Sequence, residues 1–183
     1  LKALGVDVSR IDVKTDATSA IYLSILNNKS DMEVAISDMD VVKFIVPEFL
    51  EKNADFILSS EAVALDGNLE RETIEYIAGR FSQTPLFFDP VSAAKAVRAK
   101  DVIGAFTCIK PNIMEAEVLL GMRIENEYDL KVAGQRFIDK GVEKVFITLN
   151  KDGVYYKDRD EEGFIKPANV NIKSATGAGD SFS

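Results

Sequence analysis

The spacing of hydrophobic residues changes period several times along the chain, and each change marks an element. Residues 18–26 and 32–37 are rich in β-formers, with the polar cluster Asn27-Asn28-Lys29-Ser30-Asp31 between them, which predicts a β-hairpin. Before it, Leu1-Lys2-Ala3-Leu4-Gly5 reads as the end of a helix with Gly5 just past the C-cap. After it comes Val41-Val42-Lys43-Phe44-Ile45; Pro47 then breaks the pattern, and residues 47–52 restart it as a second short helix.

From there strands and helices alternate. Asp55-Phe56-Ile57-Leu58 reads as a buried strand, and residues 71–81 as an amphipathic helix with Ile74, Ile77, Ala78 and Phe81 on one face. Pro85-Leu86-Phe87-Phe88 is the next strand, residues 93–105 read as helical, and Thr107-Cys108-Ile109 is again a strand. Residues 114–120 and 128–139 follow as helices and 144–149 as a strand, after which 153–156 and 163–165 make a short antiparallel excursion across an acidic turn. Strands of four to six residues alternating with helices imply βαβ crossovers and a largely parallel sheet.

Composition narrows the function classes. With 183 residues, 46% hydrophobic and 28% charged, the chain is expected to bury one sizeable core. A net charge of -8 and a pI near 4.7 argue against nucleic acid as a partner, because phosphate-backbone affinity needs clustered Lys and Arg. A small-molecule ligand fits better. Cys108 is the one cysteine, and neither a signal-like segment nor a long apolar run is present, so a cytoplasmic protein without a membrane partner is expected. The chain opens on Leu1 and stops three residues after Asp180, so an element is expected to continue beyond each end.

The strongest chemical signal lies at the end, in Thr176-Gly177-Ala178-Gly179-Asp180. Glycines without Cβ let a polyanion approach the main chain, and unpaired amides at a starting helix favour negative charge. Asp180 beside such a cradle is suited to take a proton from an attacking hydroxyl; the plainer reading is a glycine turn with a solvated acid.

Ligands of open parallel sheets sit beyond the carboxyl ends of strands, and three further signals lie there. Asp89-Pro90-Val91-Ser92 follows one strand, Lys110-Pro111-Asn112-Ile113-Met114-Glu115-Ala116-Glu117 the next, and Asn150-Lys151-Asp152-Gly153 the last. Asn112 with Glu115 three residues on is also a capping box that needs no ligand. Oxygens of Asp89, Glu115, Glu117 and Asp180 are candidates to share a hard cation.

The Thr-Gly-Ala-Gly-Asp run resembles the C-terminal signature of the ribokinase-like (PfkB) carbohydrate kinases, and Asn112-Ile113-Met114-Glu115 resembles their Asn-x-x-Glu motif. Thr148, Leu149 and Gly153 match a third motif, with Asn150 in place of its first glycine; Asn tolerates left-handed backbone better than most residues. The resemblance implies a three-layer α/β/α fold with a mostly parallel sheet and a small β lid. The lid would be residues 17–38 and the kinase domain residues 39–183 with 1–16. The alternative for the hairpin is ordinary packing on the core.

The same resemblance implies an ATP-dependent kinase acting on a sugar or nucleoside. Asp180 would be the base, and Gly177, Ala178 and Gly179 the anion hole. Lys110, Asn112, Thr148, Asn150 and Gly153 would lie by the nucleotide, and Glu115 and Asp89 by Mg²⁺. Lys173-Ser174-Ala175 replaces the residues that often serve a monovalent cation in the family, which leaves potassium open. The 89–97 and 110–117 stretches and Leu65-Asp66-Gly67-Asn68-Leu69 resemble the pseudouridine kinases, with Asp66 and Asn68 as substrate contacts. Ribose- or fructose-type kinases are the runners-up, and a homodimer through the lid is a further implication. A dinucleotide-binding oxidoreductase is disfavoured, because Gly177-Ala178-Gly179 comes after the whole sheet and meets Phe182 where a third glycine would stand. A catalytically silent ligand sensor on the same scaffold is disfavoured by Asp180 and Glu115.

Overall fold

A computed structural model of the chain describes residues 1–27 and 32–167. The hairpin forms as expected: β1 (Ile21–Leu26) pairs antiparallel with β2 (Met32–Asp38) in a sheet of its own. Residues 18–20 stay outside the strand. Cross-strand pairing puts Ile21, Leu23 and Ile25 on the same face as Ile36 and Val34, and all five are about half exposed.

The second sheet has six strands in the order β3 (Val63–Asp66), β4 (Leu86–Asp89), β5 (Cys108–Ile109), β6 (Lys144–Thr148), β7 (Val154–Lys157) and β8 (Glu162–Ile165). The first four run parallel, β7 turns back antiparallel to β6, and β8, antiparallel to β7, runs again with the first four. Spatial order follows chain order, and right-handed crossovers between such strands bring the connecting helices onto one face. The connecting helices are α3 (Arg71–Arg80), α4 (Ala93–Ala96), α5 (Ile113–Leu120) and α6 (Glu127–Lys140); α1 (Pro47–Lys52) and α2 (Ala54–Leu58) precede β3 and add Leu50 and Ala54 to the same core. On the covered side Leu86, Phe88, Ile109, Val145 and Ile147 meet Ile74, Ile77, Phe81, Leu119 and Phe137 in one core. On the other, Phe87 is 42% exposed. The fold is ribokinase-like α/β/α, with the described residues supplying the sheet and one helical layer.

Two expectations from the sequence are corrected. Residues 55–58 are helix α2, not a strand. Leu50, Ala54 and Ile57 turn inward while Asp55, Phe56 and Leu58 stay exposed; that spacing continues the buried face of α1 at helical period. The first parallel strand lies instead at β3, beyond the turn at residues 59–62. The segment 93–105 is not one helix but α4 followed by 3₁₀ turns at Val97–Ala99 and Ile103–Ala105. The amino-terminal turn, Lys2–Leu4, is likewise 3₁₀, capped by Gly5 at φ 80°.

Candidate active site

The carboxyl ends of the parallel strands bring most of the predicted residues to one edge. Asp66 ends β3 and Asp89 ends β4, in register with each other. Lys110 follows β5, and Asn112 bridges to Thr148, the last residue of β6. Gly153 precedes β7, whose first residue, Val154, pairs with Thr148 on one side and Ile165 on the other. Lys166 and Pro167, the last described residues, therefore leave the sheet at this same edge. Gly177, Ala178, Gly179 and Asp180 lie outside the described residues.

Glu115 is 3% exposed and sits in the first turn of α5. Its carboxylate accepts the backbone N-H of Asn112 at 2.8 Å through Oε2 and the side-chain amide of Asn112 at 2.8 Å through Oε1, while Asn112 Oδ1 accepts the backbone N-H of Glu115 at 3.0 Å. The capping box predicted from spacing is thus complete. Burial pushes the Glu115 carboxyl above its ordinary value; the Asn112 hydrogen bond opposes this, nearby Asp89 adds to it and Lys110 reduces it. Asp89 is held by an ion pair, Oδ2 to Lys110 Nζ at 2.8 Å, with both side chains largely buried, and its Oδ1 accepts Val91 N-H at 2.9 Å.

Among the described residues no three acidic, histidine or cysteine side chains cluster to hold a metal. The donors still suit Mg²⁺, which takes one or two carboxylates and completes its shell with water and phosphate oxygens; each carboxylate oxygen of Glu115 that accepts from Asn112 keeps a second lone pair. Glu117 is not part of this group. Its Oε1 accepts Ile124 N-H at 2.9 Å and its Oε2 meets Arg123 at 3.4 Å, so it anchors the chain leaving α5.

Asp66 and Asn68 form one tight unit. Asp66 Oδ1 accepts Asn68 N-H and Oδ2 accepts the Asn68 side-chain amide, both at 2.9 Å. Lys95 donates to Asn68 Oδ1, and the Arg98 guanidinium donates to the carbonyls of Gly67, Asn68 and Leu69 at 3.2, 3.0 and 2.8 Å. Lys95 and Arg98 escaped the sequence reading as supports of this loop; their i,i+3 spacing just after the Asp89 strand was the available signal.

Backbone strain collects at the same edge. Asn150 has φ 53°, as its substitution for glycine anticipated, and Val91 has φ 68°. For a β-branched residue that is a genuine outlier, costing about 1–3 kcal/mol. A groove of roughly 530 Å³, lined by Arg10, Lys14, Phe44, Phe49 and Lys52 among others, contains none of the predicted site residues.

The family model for pfkB family carbohydrate kinases matches residues 1–183, and the chain belongs to that family. It is 33% identical over 179 residues to a pseudouridine kinase of Escherichia coli, covering 97% of this chain and 57% of the relative. A deoxyribokinase of Salmonella typhi is 26% identical over 184 residues, 100% of this chain and 60% of the relative. Among solved structures, a candidate sugar kinase from Clostridium perfringens superposes with TM-score 0.84 at 37% identity, covering 99% of this chain and 57% of the other. A ribokinase from Thermotoga maritima shares the fold, with TM-score 0.75 at 21% identity over 90% of this chain and 53% of its own. The chain spans between half and two thirds of the length of these relatives. No helix among the described residues is long and apolar enough to cross a membrane.

Proposed function

We propose that the protein is an ATP-dependent kinase that phosphorylates the 5′-hydroxyl of a nucleoside, pseudouridine before others, in the cytoplasm. The observation that carries this reading is the single edge on which Asp66, Asp89, Lys110, Asn112 and Thr148 stand, in a chain of the pfkB carbohydrate kinase family. The resemblance to pseudouridine kinase over 97% of the chain supports the acceptor. The deoxyribokinase match over the whole chain favours a second reading, a free pentose as acceptor.

In this mechanism the acceptor lies by the loop of Asp66 and Asn68, and ATP by Lys110, Asn112, Thr148, Asn150 and Gly153. Lys110 lends positive charge to the phosphate chain, and Asn112, by capping α5, fixes the start of that helix and the Glu115 carboxylate beside it. Mg²⁺, held by Glu115 with Asp89 nearby, would neutralise charge on the transferring phosphoryl group. Asp180 positions the 5′-hydroxyl and takes its proton, while the amides of Gly177, Ala178 and Gly179 steady the developing charge. Phosphoryl transfer is loose, so the proton leaves late and a carboxylate near its ordinary pKa of about 4 suffices. The β1–β2 ribbon is the lid over the acceptor, and its apolar face is the contact between two copies.

Replacing Asp180 by Asn in the full-length protein tests the base. Turnover should fall by about 10²- to 10⁴-fold with ATP affinity retained; near-normal turnover removes Asp180 from that role.

A further inference from the structure

Val91 lies at the carboxyl end of β4 in a conformation that branched side chains avoid. Its φ is 68°, and Ser92 N-H donates to Pro90 O at 2.8 Å. A bond from residue i+2 back to residue i around a positive φ is the rare, strained form of the γ-turn. Burial does not compensate for it, because Val91 is 42% exposed.

Neighbours fix the turn on both sides. Asp89 Oδ1 holds the Val91 N-H, Gly67 N-H donates to Asp89 O at 2.8 Å, and a Cβ built on Gly67 would lie 2.2 Å from Pro90 O. The loop of Asp66 and Asn68 is therefore pressed against the turn that carries Val91. Strain held this firmly while exposing an apolar side chain is the signature of a functional constraint, since Gly or Asn would make the same turn more easily.

We propose that Val91 is a specificity-determining residue whose isopropyl group forms an apolar wall of the acceptor site, against the flat face of the acceptor's base. This rests on the reading that Asp66 and Asn68 face the acceptor. The division of labour is chemical. Polar groups of that loop suit hydroxyls and ring N-H groups, whereas a branched aliphatic group suits a ring face and has nothing to offer a hydroxyl.

The test uses the full-length protein with Val91→Gly, and Val91→Asn as a second residue that accepts positive φ. Both variants should melt at or above the parent's temperature, because the strain is released. The kcat/KM for the best nucleoside should fall about five- to tenfold, as expected for losing part of a valine's contact area. The KM for ATP and the kcat/KM for ribose should stay within about twofold. Unchanged nucleoside efficiency in either variant that still melts like the parent, or an equal loss on ribose, overturns the proposal alone. A drop in melting temperature in both variants overturns its premise of strain. If the parent phosphorylates only base-free sugars, the nucleoside reading fails and takes the base wall with it.

Discussion

Glu115 and Asn112 are bonded reciprocally, three residues apart, with both carboxylate oxygens of Glu115 turned to Asn112. The pair completes the cap of α5 and, in the proposed mechanism, presents a buried carboxylate to Mg²⁺. In that mechanism one residue has both roles, and one substitution with two readouts, stability and magnesium requirement, separates them.

Gln at position 115 keeps one acceptor but places an NH₂ group where Asn112 also donates. The cap should weaken by about 0.5–1.5 kcal/mol. If Glu115 also serves Mg²⁺, Glu115→Gln raises the magnesium concentration needed for half-maximal activity severalfold. A titration of activity against magnesium decides: a stability loss with an unmoved magnesium curve leaves capping as the sole role.

Gly67 and Gly79 should respond to the same substitution with opposite signs. A Cβ on Gly67 would lie 2.2 Å from Pro90 O and 2.9 Å from Pro90 C, whereas one on exposed Gly79, inside α3, meets nothing within 4 Å. Gly79→Ala should stabilise by roughly 0.5–1 kcal/mol through helix propensity, and Gly67→Ala should destabilise by about 1–3 kcal/mol. Thermal melts of the two variants beside the parent check this; equal shifts would mean that the two strand-end loops are not in contact.

The apolar face of the β1–β2 ribbon gives a prediction about assembly. An isolated two-stranded hairpin is at best marginally stable in water, and Leu23 and Ile36, directly opposed, are 55% and 59% exposed. By light scattering the full-length parent should be a dimer, and Leu23→Asp with Ile36→Asp should be a monomer. A monomeric parent, or a variant that remains a dimer, contradicts the lid contact.

Legibility in the sequence followed the length and context of each pattern. The face of α3 was readable because Ile74, Ile77, Ala78 and Phe81 repeat at helical period over about two turns, and all four are buried. The antiparallel return of β7 and β8 was readable from β-formers on either side of an acidic turn. Asp55-Phe56-Ile57-Leu58 misled because four residues cannot display a period, and only the buried Leu50 and Ala54 before them reveal the helix. The capping box was visible from spacing; the Lys110–Asp89 pair and the grip of Arg98 on the Gly67–Leu69 carbonyls were not. Those contacts join strands and loops far apart in the chain, and only parallel registration of β3, β4 and β5 brings them together.

The proposed activity is phosphoryl transfer from ATP to the 5′-hydroxyl of a nucleoside. An assay of the full-length protein with ATP and Mg²⁺ against pseudouridine, uridine, ribose, fructose and adenosine, reading kcat/KM for each, puts it to the test. Pseudouridine differs from uridine by an additional ring N-H, and an unpaired buried partner for that group makes discrimination large. Pseudouridine should exceed uridine and ribose by at least roughly tenfold, about 1.4 kcal/mol in transition-state binding. Efficient transfer to ribose or fructose with none to pseudouridine would contradict the acceptor, and absence of ATP-dependent transfer to any of the five would contradict the kinase assignment itself.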